Sequence, residues 1–168
     1  QAEVDAFAMN YPNCTHIDGT LQIGGTGSTV TDISALSNIE SVAGALLVLN
    51  NWDLVNLDGL SSLTSVVGHL QITNNFSLTD IDGLSNLTSL GADITIALND
   101  NLTSISGLSG LTTINPMFGD GLRVFNNQLL AICNIDLFCD YLSNDSATHP
   151  RFIENNATNC NDVDEILL

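Results

Sequence analysis

The chain has 168 residues and carries 19 acidic side chains against two basic ones, Arg123 and Arg151, for a formal charge of −17. That balance excludes nucleic-acid binding, whose affinity comes from lysine and arginine on phosphates, and disfavours an anionic membrane surface. A hydrophobic content of 44% excludes an acidic disordered tail. The longest near-apolar run, 42–49, is far short of the ~20 residues a membrane-spanning helix needs. The length fits one domain, expected as a monomer.

Gln1-Ala2-Glu3 already reads as folded protein, so any leader is expected to have been removed. Residues 2–9 are predicted as a short capping helix. The pair Leu21/Ile23 then opens a repeat. Gly-Ala-Leu-Leu-Val-Leu-Asn-Asn at 44–51 returns as Gly-His-Leu-Gln-Ile-Thr-Asn-Asn at 68–75, and more loosely at 92–99 and 120–127. The pairs Leu46/Val48, Leu70/Ile72 and Ile94/Ile96 recur every 24 residues; Leu122/Val124 follows after a four-residue excess around Asn115-Pro116-Met117-Phe118. Phe152/Ile153, followed by Asn155-Asn156, reads as a last, degraded copy. Residues 135–143 are predicted as the closing helix.

Each copy has one grammar. Two apolar residues at a spacing of two predict a short strand with one buried face. Apolar residues then come at every third position, as in Leu54, Leu57, Leu60, Leu63 and Val66. That step suits neither α-helix nor strand, but fits a chain wrapping a core in 3₁₀-like turns. Asp58-Gly59, Asp82-Gly83 and Ser106-Gly107 supply the corners, where glycine is expected to take a positive φ. Such a unit buries its apolar side only by stacking on others. Asn51, Asn75, Asn99 and Asn127 occupy one slot, three residues after each strand's second apolar residue. Coils ~4.8 Å apart turn that slot into a ladder of amides that satisfies backbone groups at the bend. Asn74, beside it, is expected to face outward.

Leu-x-Ile-x-x-Asn is the strand-and-ladder half of the leucine-rich repeat. Here the next leucine comes three residues after the asparagine instead of two, and no long helix follows. This variant resembles the receptor L-domain-like leucine-rich repeats of secreted proteins from marine Bacteroidetes. Tyr11-Pro12-Asn13-Cys14-Thr15 and Ile17-Asp18-Gly19-Thr20-Leu21 resemble that family's opening cap. Leu84-Ser85-Asn86-Leu87-Thr88-Ser89-Leu90-Gly91 resembles its repeat. Cys139-Asp140-Tyr141-Leu142 and Asn155-Asn156-Ala157-Thr158-Asn159-Cys160-Asn161 resemble its closing cap. The expected architecture is a right-handed solenoid with one parallel sheet of about six short strands. Residues 1–20 would form the N-terminal cap, 21–132 the solenoid and 133–168 a cysteine-containing C-terminal cap. The resemblance implies secretion, often by a type IX route, and presentation outside the cell, with no known ligand.

Cys14 lies in the opposite cap, ~25 Å from the other cysteines, and cannot bridge to them. Cys160 follows Asn155-Asn156 roughly as Cys133 follows Asn126-Asn127, which favours Cys133–Cys160; Cys139–Cys160 is the alternative. A zinc site of Cys133, Cys139, Cys160 and His149 is disfavoured by its spacing. Asp58 and Asp82, one coil apart, could bridge a calcium ion, but Ser34 and Ser106 interrupt the row. The Gly24-Gly25-Thr26-Gly27-Ser28 turn lacks the aspartate of a calcium-binding glycine repeat. No cofactor is expected.

Lysine is absent, and His16, His69 and His149 show no readable pairing with a nucleophile, so no enzyme is expected. Strand alternation turns Leu47, Leu49, Gln71, Thr73, Thr95, Arg123 and Phe125 outward, with Trp52 just beyond the ladder. Apolar groups exposed on an acidic protein mark an interaction surface. The predicted function is recognition or adhesion, with an extracellular protein or polysaccharide bound on this face. The rival reading is an acidic spacer in a larger cell-surface protein, stabilised by calcium.

Overall fold

Two apolar residues per copy cannot hold a strand in place alone; stacked copies can. The computed structural model, which describes residues 1–115, 120–144 and 149–167, shows such a stack. Helix α1 (Ala2–Asn10) precedes β1 (His16–Ile17) and β2 (Leu21–Gly24). The pairs β3 (Ser41–Val42) and β4 (Leu46–Leu49), β5 (Ser65–Val66) and β6 (Leu70–Thr73), and β7 (Ser89–Leu90) and β8 (Ile94–Ala97) follow. Then come β9 (Leu122–Phe125), α2 (Asp136–Leu142), β10 (Arg151–Glu154) and α3 (Val163–Ile166).

The longer strands form a parallel six-stranded sheet in the order β2-β4-β6-β8-β9-β10. Leu46, Leu70, Ile94 and Leu122 share one register position, and Val48, Ile72, Ile96 and Val124 another. All are fully buried. A second parallel sheet, β1-β3-β5-β7, runs alongside and adds to the single sheet expected. Its strands are two residues long, with Ser41, Ser65 and Ser89 in register on one side and buried Val42, Val66 and Leu90 on the other. Two residues are too few to show an alternation in sequence.

The every-third-residue leucines line the core between the sheets, Leu54, Leu57, Leu60 and Leu63 among them. Short 3₁₀ turns such as Asp58–Leu60 and Asp82–Leu84 carry the chain round. The corner glycines differ from expectation in their reason. Gly59, Gly83 and Gly107 do not take a positive φ. They are glycine because the carbonyl oxygens of Ile33, Leu57 and Ile81, one coil earlier, occupy the space a Cβ would need. Close approach of backbones, not turn conformation, fixes the residue.

The left-handed backbone instead falls on the residue before each ladder asparagine. Asn50, Asn74, Leu98, Asn126 and Asn155 have φ of 55–59°. Asparagine tolerates this conformation and leucine does so at a cost of ~1–2 kcal/mol. The Asn-Asn doublet therefore has two jobs, a left-handed turn and a ladder rung. Asn74 lies on the outer face, as expected, and is in addition conformationally committed by its left-handed backbone.

The ladder itself is continuous. Asn75 Oδ1 accepts from the Asn51 N–H (3.2 Å) and Nδ2 (2.9 Å), while Asn75 Nδ2 donates to the Val48 carbonyl at 3.0 Å. Asn99 and Asn127 repeat the pattern, and Asn156 extends it, accepting from Asn127 N–H and donating to Val124 O at 2.9 Å. Ser28 Oγ closes the other end on Asn51 Oδ1 at 2.7 Å.

At the C-terminal end Cys133 and Cys160 form a disulfide, with Cα atoms 5.9 Å apart, while Cys14 and Cys139 are free. The zinc reading is thereby overturned, since two of its ligands are consumed. In the last strand the degraded pair contributes one inward residue, Ile153, rather than two. Arg151 and Ile153 align with core residues Leu122 and Val124, so Phe152 faces outward beside Arg123. The four-residue excess lies, from residue 116, outside the described residues. Helix α3 was not expected, because four residues carry no period; Asp162 caps it by accepting the Glu165 N–H at 2.9 Å.

Candidate functional site

Since alternate strand residues fill the core, the others form rows across the outer face of the large sheet. One row runs Gln22, Leu47, Gln71, Thr95, Arg123, Phe152; the next runs Gly24, Leu49, Thr73, Ala97, Phe125, Glu154. Chemistry changes along the stack. It is aliphatic at β4, polar and small at β6 and β8, then aromatic and cationic at β9 and β10.

The small side chains in the middle leave a depression of about 620 Å³ over β6, β8 and β9. Gln71, Thr73, Thr95 and Ala97 form its floor, Arg123 and Phe125 one wall, and His69, Asn74, Asp93, Leu98 and Asp120 its remaining rim. Ala97, an outward position by strand alternation, is only 1% exposed. Leu98 breaks the asparagine rule at this rim. It holds φ at 58° and leaves its side chain 38% exposed. A backbone conformation that costs energy and presents an apolar group is the kind of feature found where a ligand sits.

Arg123 is built into the wall. Its guanidinium pairs with Asp120 at 3.2 Å and lies 5.5 and 5.8 Å from the ring centres of Phe125 and Phe152. Those rings meet edge to face at 5.2 Å. The Arg123 Nε is buried without a hydrogen-bond partner among the described residues. Asp93, only 5% exposed, accepts the Gly121 N–H at 2.9 Å and so ties the corner before β9 to the β8 coil. Burial, and secondarily the charge of Asp93, push the Tyr141 phenol above its usual range, against the opposing effect of Arg151. The Tyr141 hydroxyl donates to Pro150 O at 3.0 Å.

Of the residues singled out in sequence, the structure brings Gln71, Thr73, Thr95, Arg123 and Phe125 together around the depression. Leu47 and Leu49 continue its rows toward the N-terminus and are half-buried. Trp52 stands apart, 62% exposed, packed edge to face on Phe76 at 5.3 Å. Sequence reasoning missed His69, Asp93, Leu98, Asp120 and Phe152. Phe152 was legible only with the correct register of β10, and Leu98 only as the exception within the Asn-Asn doublets.

A histidine–serine contact also escaped the sequence. His16 Nδ1 lies 2.7 Å from Ser41 Oγ. It sits on the exposed edge of the small sheet, where Ser65 and Ser89 continue a flat row. A nucleophile needs its base oriented by a third group; among the described residues the His16 ring has no hydrogen bond beyond that to Ser41.

The profile of the family described as Receptor L domain matches residues 13–141. No curated protein matches the chain.

Proposed function

Because the chain belongs to the receptor L domain family, whose members are non-enzymatic ligand-binding domains, we propose that it is an extracellular recognition and adhesion domain whose ligand lies across the rows of the large sheet. The observation that carries this is the depression between β6 and β9, where one of only two cations in the chain is stacked against two phenyl rings. Leu47, Leu49 and Trp52 extend the contact toward the N-terminal coils. The Cys133–Cys160 disulfide suits the oxidising setting of an extracellular protein.

The ligand is a protein or a polysaccharide. Phenyl rings with adjacent hydroxyl and amide groups serve either, so the discriminating measurement is salt. A neutral glycan keeps its affinity as salt rises, while a cationic protein partner is screened away. The direct test is a glycan and surface-protein array probed with the wild type and with the double variant Leu49→Asp, Phe125→Asp, both checked by melting. Loss of a ligand from a folded double variant supports the reading. Equal binding of every ligand by both proteins removes the face as the site, and no ligand for either favours an acidic spacer.

A further inference from the structure

We propose that the free edge of β10 accepts an extended segment of a partner protein, alternating apolar and basic residues, as an added strand of the large sheet. This site is separate from the depression over β6 and β9 and stands on different observations.

In a parallel pair, successive residues point their backbone groups alternately to the two sides. The Leu122 N–H donates to Pro150 O at 3.0 Å and the Asn126 N–H to Glu154 O at 3.1 Å. With Phe152 paired to Arg123 in register, Phe152 and Glu154 face β9. The N–H and C=O of Arg151 and Ile153 therefore face away from the sheet, and no hydrogen bond among the described residues uses them. The Ile153 carbonyl is the next in a series. Val48 O, Ile72 O, Ile96 O and Val124 O each receive a ladder amide from the following coil. Ile153 O is where that series stops.

The edge is not merely unpaired; it is walled. A groove of about 410 Å³ runs between β10 and the start of α3, lined by Arg151, Phe152, Ile153, Asp162, Val163 and Asp164. Ile153 and Val163 are half-buried and packed on the core, so an incoming strand needs an apolar side chain to cover them. Unpaired edges with an apolar seat are where strand addition occurs.

Charge selects the occupant. Arg151 turns its guanidinium onto the carbonyls of Leu142 and Asn144, at 3.0 and 2.8 Å. Asp162, Asp164 and Glu154 are left around the edge, which favours lysine or arginine at the alternate positions. A second copy of this chain, itself at −17, is repelled. The opposite edge is treated differently. At β2 the Gln22 side chain donates to Gly24 O at 3.1 Å, and positive φ at Gly24 and Gly25 turns the chain out of strand geometry.

The test uses fluorescence anisotropy with a short blocked peptide alternating valine and lysine. Saturable, salt-sensitive binding is expected. Ile153→Pro removes the N–H that faces away from β9 and spares the bonds to β9, a position proline tolerates on an edge strand, and it exchanges the isoleucine side chain for a smaller ring; it should weaken binding about tenfold, the worth of one lost hydrogen bond. Asp164→Asn should weaken it less, by lowering the local charge. Absence of peptide binding by the wild type overturns the proposal, as does equal binding by folded Ile153→Pro. Equal binding of a valine–glutamate peptide, or of a valine–lysine peptide N-methylated along its backbone, does the same, and the last needs no variant to fold. Dimerisation of the wild type that Ile153→Pro abolishes would assign the edge to a second copy and overturn the partner.

Discussion

The two ends of the stack solve one problem by different means. Each terminal coil exposes half a core, as every repeat array does. The C-terminal end is closed covalently and by burial. Cys133–Cys160 ties two coils, α2 buries Leu137, Phe138, Tyr141 and Leu142, and Glu165 Oε2 accepts the Asn159 and Asn161 N–H groups. The N-terminal end is pinned by polar contacts. Helix α1 buries none of its residues fully, and the Gln1 side chain holds it down, accepting from the Thr31 and Asp32 N–H groups at 2.8 and 3.1 Å. The contrast teaches that a cap's strength follows what it covers. The C-terminal cap supplies Phe138 and other buried side chains to the core, while the N-terminal one lays only the partly buried Val4 and Phe7 on it.

The largest expected effect comes from making the ends alike. The double variant Cys133→Ser, Cys160→Ser opens a loop with a sequence separation of 27 and should cost about 3 kcal/mol in denaturant unfolding. Amides of α2 and α3 should then exchange with solvent as readily as those of α1. A negligible loss would mean that burial alone secures this end.

Cutting the stack in its middle separates the two halves. Asn75→Ala leaves the Asn51 N–H without its acceptor and removes the side-chain bond to the Val48 carbonyl; it should cost about 2 kcal/mol, with exchange accelerated mainly on the N-terminal side. Asn74→Ala should cost about 1 kcal/mol through its left-handed backbone, with no ladder bond lost. Equal exchange patterns in the two variants would contradict the division of labour within the doublet.

The smallest effect is at the N-terminal cap and depends on pH. The backbone N–H and hydroxyl of Ser34 hold the Asp32 carboxyl below its usual range. A depressed carboxyl stabilises the fold at neutral pH, and that contribution is lost as pH falls through the acid range. Proton exchange of α1 should therefore rise before that of the sheet as pH falls below the ordinary aspartate range, and Asp32→Ala should flatten this response. At the other end the raised Tyr141 phenol has the reverse sign: its contribution is intact below the ordinary tyrosine range and lost in alkali.

Much of the stack was legible because its signals repeat. The strand pairs from Leu46/Val48 to Leu122/Val124 and the slot of Asn51, Asn75, Asn99 and Asn127 have a period, and a period survives local ambiguity. What was missed has no period. The second sheet has strands of two residues, α3 has four, and Phe152-Ile153 offered two adjacent apolar residues from which the inward one could not be chosen. The corner glycines were recognised for a positive φ they do not adopt, since their cause is a carbonyl 26 residues earlier. The binding face was legible as rows but not as a hollow. That depends on how small Thr95 and Ala97 are beside Arg123, and on Asp93 and Asp120 arriving at its rim from corners outside the strands.

One feature of the ladder bears on how such chains lengthen. The amide rung from Asn75 to Asn99 joins residues 24 apart and that from Asn99 to Asn127 residues 28 apart, yet both measure 3.1 Å. The rungs fix strand register and ignore contour length. Extra residues between two rungs thus leave the spine untouched, so the fold can absorb insertions without renegotiating its core. Between Asn99 and Asn127 such variation bears on Asp120 and Arg123, which line the depression on the strand face.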